Sequence, residues 1–159
     1  MSPTIKNCGY LLLAGYKTET SLTNDHTISL WQKFMKERST MPERFGNRYF
    51  SVSQYPLEYF GHFDPSKEFV KWATMETPGN APDNMETLEI MDGTYAVFIH
   101  HGPAALAFKT FHHIFNEWIP NSEFNIDQRP HFEIMPEGYK ADDPNAMEEV
   151  WIPIIKKLE

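Results

Sequence analysis

Gly93-Thr94-Tyr95-Ala96-Val97-Phe98-Ile99-His100-His101-Gly102-Pro103 is the stretch on which the fold turns. Its aromatic and β-branched run from Thr94 to His101 reads as a strand. Gly102-Pro103 then turns the chain, and a proline suits the first turn of a helix, where its missing N–H has no intrahelical partner anyway. Leu106, Phe111, Ile114, Phe115 and Trp118 follow at helical spacing and predict a helix over about 103–118. Pro120-Asn121-Ser122 stops it, and short strands are expected at 130–135 and 147–155.

Working outward, the first half has the same grammar. A strand rich in Leu and Tyr covers 9–18. Ser21, Thr23, Asn24 and Asp25 offer caps for a helix over about 25–38, with Ile28, Leu30, Trp31, Phe34 and Met35 at helical spacing. Pro42 and Gly46-Asn47 break the pattern, and strands are expected at 48–53 and 67–75. The long segment 76–92, with Pro78, Gly79, Asn80 and Pro82, joins the halves. The expectation is an α+β fold: a β-α-β-β repeat, about 9–75 and 93–155, occurring twice in one domain over 1–157. Side by side, the repeats make a largely antiparallel, curved sheet with both helices on one face and a cleft between them. Leu158-Glu159 reads as a cloning remnant.

The bulk numbers exclude several classes of function. The formal net charge is -8, with 22 acidic and 14 basic side chains and no Lys/Arg cluster longer than a pair. A nucleic-acid surface needs a basic stripe, so direct DNA or RNA binding is disfavoured. Cys8 is the single cysteine, which excludes an internal disulfide and a Cys-based zinc cage. Leu11-Leu12-Leu13 is too short a run for a signal or a membrane span, so a cytoplasmic protein is expected. His100-His101 and His112-His113 are adjacent pairs that point apart on a strand and splay on a helix, and His113 with Glu117 supplies two ligands only, so no metal site is expected. No Gly-x-Ser-x-Gly elbow and no Gly-rich phosphate loop occur, and no cofactor is expected.

The C-terminal motifs carry a family resemblance: Gly93-x-Tyr95-Ala96-Val97-Phe98, His101-Gly102-Pro103, Trp118-Ile119-Pro120, Phe132-Glu133 and Glu149-Val150-Trp151-Ile152-Pro153-Ile154, in that order. Leu30-Trp31-x-x-Phe34 supports it more loosely in the first half. The chain resembles the GyrI-like small-molecule-binding superfamily, the effector-binding module of some AraC-type and MerR-type multidrug regulators, over about Gly9 to Ile155. That resemblance implies the duplicated fold, and an aromatic-lined pocket between the repeats with an acidic residue at its base. It also implies a ligand that is hydrophobic and often cationic. Free-standing members include toxin or antibiotic sinks, proteins that bind gyrase, and hydrolases of reactive compounds.

Glu149 matches the family's pocket glutamate. In strand alternation Glu149, Trp151 and Pro153 share one face, while Val150, Ile152 and Ile154 face the helices. Glu148 points the opposite way from Glu149 and is assigned no role. Tyr95 could add a phenol, and Glu133 a second acid or hydrogen-bond acceptor. Trp72, Tyr16, Tyr49 and Trp118 complete the candidate ligand-binding set. A carboxylate among rings would attract a cation through charge and cation–π contact. The leading expectation is therefore a binder of a hydrophobic small molecule. One alternative is a hydrolase with Glu149 as general base and Tyr95 or Glu133 orienting or donating a proton. The other is a protein-interaction role such as gyrase inhibition.

Overall fold

The computed structural model describes residues 1–39, 47–82 and 84–158; the expected break at Pro42 and Gly46 lies outside them. The described strands are β1 (Thr4–Asn7), β2 (Leu11–Thr20), β3 (Tyr49–Gln54), β4 (Phe69–Glu76), β5 (Glu86–Ile90), β6 (Thr94–His101), β7 (Phe124–Ile126), β8 (His131–Met135) and β9 (Met147–Lys156). They form one antiparallel sheet in the order β1-β6-β9-β8-β3-β4-β2-β5, with β7 added beside the end of β9. Helix α1 (Thr27–Arg38) follows β2, and α2 (Ala107–His113) follows β6 after a 3₁₀ turn at Ala104–Leu106.

The two β-α-β-β units are β2-α1-β3-β4 and β6-α2-β8-β9. They meet where β3 pairs with β8, with Ser51 opposite Glu133 and Ser53 opposite His131. Alternation divides the sheet into two faces. On one face Tyr16, Ala73 and Met75 pack under Leu30 and Phe34 of α1. On the same face Ala96, Phe98, Val150, Ile152 and Ile154 pack with Ile114 and Ile119, on the turns that follow α2. The opposite face carries Leu13, Phe50, Val52, Trp72, Ile90, Tyr95, Val97, Phe132, Ile134 and Trp151 as one cluster. Because this cluster takes Ile90 from one edge of the sheet and Val97 from near the other, the sheet curls toward it. Gly15 permits close strand contact there: a Cβ at this position would stand 1.8 Å from the Ala73 carbonyl oxygen.

Three strands go beyond the sequence expectation. β1 and β7 are short, and β5 lies inside the segment read as a connector. Each extends or edges the sheet, so its side chains lack the buried alternation that marks a central strand. The second helix also differs. After α2 the chain widens into a π turn at Ile114–Trp118 and ends in a last helical turn at Ile119–Asn121. Pro120 has no N–H to continue an i→i−4 ladder, and the wide turn stands just before it. His26 occupies the N-cap of α1, and Asp25 just before it accepts from the Thr27 backbone N–H (3.0 Å) and hydroxyl (2.6 Å). Among the described residues no helix is long and apolar enough to cross a membrane.

Candidate functional site

The β3–β8 seam runs between the two helical layers, and its helix-bearing face is polar. Alternation brings Ser51 and Ser53 of β3, Lys71 of β4, His131 and Glu133 of β8 and Glu148 of β9 to that face. All are buried or nearly so. The Lys71 ammonium donates to the Ser53 hydroxyl at 3.0 Å and stands 4.0 Å from a Glu133 carboxylate oxygen. The Lys71 and Glu133 side chains are 10% and 14% exposed, so their charges are screened little by water.

Among the described residues, Glu133 and Glu148 both feel the ammonium of Lys71. Burial raises the Glu133 pKa, and Lys71 partly opposes that rise. Glu148 is pushed up to about 7, first by burial and then by repulsion from Glu133, against the pull of Lys71 and a hydrogen bond from the Tyr139 hydroxyl. His131 moves the other way, to about 3, because burial and the nearby cations Lys71 and Arg129 all disfavour the imidazolium. The imidazole is thus a neutral flat ring at neutral pH.

Each end of the seam opens into a recess. One, of about 510 Å³, is lined by Met35, Arg38 and Ser39 at the end of α1, with Asn47, Tyr49, Glu137 and Gly138 opposite. The other, of about 340 Å³, is lined by the loop from Tyr55 to Gly61 and by Ile126–Arg129 and His131. Aromatic rings close the seam at this second end. Phe60 lies against Phe115 of the π turn (centroids 5.1 Å apart) and against His131 (5.3 Å). Tyr55 adjoins Tyr59, Phe60, Phe69 and His131, with centroids 4.6–4.9 Å away.

The structure divides the candidate residues named from sequence between the two faces. Glu149, Trp151, Tyr95 and Trp72 lie on the face opposite the helices. There Glu149 is half-buried and accepts from the Trp151 indole N–H at 2.9 Å. Tyr95 is fully buried and donates its hydroxyl to the Pro130 carbonyl, with the Arg129 guanidinium over its ring. The Trp72 indole donates to Gln54, and Phe132 stacks on Trp151 at 5.2 Å, so rings fill this face. Tyr16 sits under α1 with Lys33 over its ring, and Trp118 packs between Phe98 and Phe124. Glu133 is at the centre of the polar seam, and Tyr49 lines the larger recess beyond it.

Sequence reasoning passed over Lys71, Glu148, His131, Tyr55 and Phe60. One signal was available for Glu148. It is the single acid in the row Glu148, Val150, Ile152, Ile154, the row already assigned to the helix-facing core. Lys71 and His131 carry no such mark, because their neighbours come from other strands.

A family model described as the GyrI-like small molecule binding domain matches residues 1–155. The chain belongs to this family. No curated protein matches the GyrI-like chain in sequence. Among solved structures it is similar to an integron cassette protein from Vibrio cholerae, at 14% identity and TM-score 0.71, covering 97% of this chain and 96% of that one. It is also similar to SAV2435, determined bound to tetraphenylphosphonium, at 15% identity and TM-score 0.70 over 98% and 94% of the two chains. The C-terminal domain of EcmrR matches at 13% identity and TM-score 0.69 over 97% of each. At these identities the likeness establishes the shared fold.

Proposed function

We propose that this GyrI-like domain binds a hydrophobic organic cation in the seam between its two repeats, with Glu133 and Glu148 as the counter-charge. The observation that carries the reading is the pairing at the seam: among the described residues the buried Glu133 and Glu148 face the single ammonium of Lys71, under aromatic walls. A buried, incompletely compensated carboxylate is costly unless a cation meets it, and rings beside it add cation–π attraction. Tetraphenylphosphonium, bound by the structural neighbour SAV2435, supports the same ligand class. Glu149 accepts a hydrogen bond from Trp151 on the other face and is only half-buried, whereas Glu148 is buried in the seam, which favours Glu148 over Glu149 as the acid that meets the ligand.

Calorimetric titration with tetraphenylphosphonium tests the reading, with neutral triphenylphosphine oxide as the control. Saturable binding of the cation, at least about tenfold tighter than the neutral compound, is expected from one recovered charge interaction in a weakly screened site. Equal affinities for the two compounds, or no binding of the cation, would reject it.

A further inference from the structure

We propose that the notch between Phe115 and His131, which Phe60 fills, is the subsite for a planar aromatic ring of the ligand, and that Phe60 leaves when that ring enters. The proposal rests on the cation-binding reading of the same seam and narrows its ligand class to cations that carry at least one flat ring.

Ring geometry is the first support. The Phe60 plane is tilted 26° from Phe115 and 18° from His131, at 5.1 and 5.3 Å, so one ring stacks on two walls that belong to different elements. Offset stacking of this kind depends on shape and on the ring quadrupole, and any flat ring of similar size reproduces it. One wall, Phe115, stands on the π turn, which sets it apart from the regular spacing of α2. The other, His131, is opposite Ser53 in the sheet, and Ser53 holds Lys71, which faces Glu133. A ring in the notch therefore lies beside the charged part of the seam.

The backbone that carries Phe60 is the second support. The hydrogen bonds described within 56–62 are local: Tyr59 N–H to Pro56 carbonyl, and the Gly61 and His62 N–H groups to Glu58 carbonyl. Glu58 takes a left-handed φ of 67°, which sharpens this turn. The segment is pinned at its two ends, where the Gln128 amide donates to the Tyr55 carbonyl and the Thr23 N–H to the Pro65 carbonyl. Withdrawing Phe60 thus exchanges ring contacts and breaks no ladder bond among those described. The recess of about 340 Å³ is lined by Phe60 itself and by the exposed Leu57, so a withdrawn ring has space beside its own backbone.

Titration of the full chain and of its Phe60→Ala variant with tetraphenylphosphonium tests the proposal. A side chain that must vacate its site reduces apparent affinity by the fraction of time the site is open, so Phe60→Ala is expected to bind about three- to tenfold tighter. A variant that binds equally or more weakly makes Phe60 a wall of the site and overturns the proposal. Hydrogen exchange on the unmodified chain gives a readout that needs no variant. Saturating tetraphenylphosphonium is expected to speed exchange of the amides at 57–63; slowed or unchanged exchange overturns it. Binding with neither change leaves the cation reading standing and removes this one. Failure of both chains to bind removes both.

Discussion

If the proposed cation site lies in the β3–β8 seam, the cation must compete with a proton for Glu148. With that carboxyl at about 7, its ionised fraction falls from about nine-tenths at pH 8 to about one-tenth at pH 6. Tetraphenylphosphonium should therefore bind about tenfold more weakly at pH 6 than at pH 8, a difference of about 1.4 kcal/mol. The sign follows from burial: the proton already neutralises the carboxyl at low pH, and the cation must displace it. Glu133, also raised, acts in the same direction. Calorimetry in two buffers of different protonation enthalpy counts the displaced proton, expected to be about 0.9 per ligand at pH 6 and about 0.1 at pH 8. Glu148→Gln keeps the shape and removes the charge. It should flatten the profile and weaken binding at pH 8 by about tenfold or more, because a unit charge pair at about 4 Å gains ~4 kcal/mol at an effective dielectric near 20 before desolvation is subtracted. A flat profile in the unmodified chain, or an undiminished slope in Glu148→Gln, would refute the assignment of Glu148.

Two further predictions concern stability. Folded Glu148 holds its proton up to about 7, whereas the unfolded side chain releases it near 4.5, so the folded state binds more protons in that window and stability falls as pH rises through it. Glu148→Gln should consequently be more stable than the unmodified chain by about 3 kcal/mol at pH 8 and nearly equal to it at pH 4, measured by urea unfolding at both pH values. Gly15→Ala should destabilise the fold by about 3 kcal/mol, because the new Cβ would stand 1.8 Å from the Ala73 carbonyl oxygen and the contacting atoms are backbone, which must shift to admit it. A drop under about 1 kcal/mol in the same unfolding assay would show that the β2–β4 contact relaxes easily.

The order of elements in the two repeats was legible in the sequence because it rests on local chemistry. Thr94–His101 is a strand by its run of apolar and β-branched residues, and α1 ends its apolar stripe where the periodicity ends. The alternation along Glu148–Ile154 also placed its residues on the correct faces. Edge strands were not legible: β5 reads Glu-Thr-Leu-Glu-Ile, with three of its five residues exposed, and only pairing with β2 makes it a strand. The irregular second helix was hidden for the same reason, since Phe115 and Trp118 fit helical spacing whether or not a π turn lies between α2 and Pro120.

The candidate site belongs to the tertiary structure. Lys71, Glu133 and Glu148 are 62 and 15 residues apart along the chain, and their charges interact only because β4, β3, β8 and β9 are neighbours in the sheet. A carboxyl's character is set by what surrounds it. Glu148 and Glu149 are the same residue type in consecutive positions, yet one is buried near Glu133 and shifted to about 7, while the other is half-buried and bonded to an indole N–H. Sequence determined that adjacent strand residues look in opposite directions. Which direction leads to a partly neutralised charge under a roof of rings depended on the helices, the sheet order and the loop that sets Phe60 against His131. Desolvation and Coulomb energy depend on distances through space, and those distances arise only when the chain is folded.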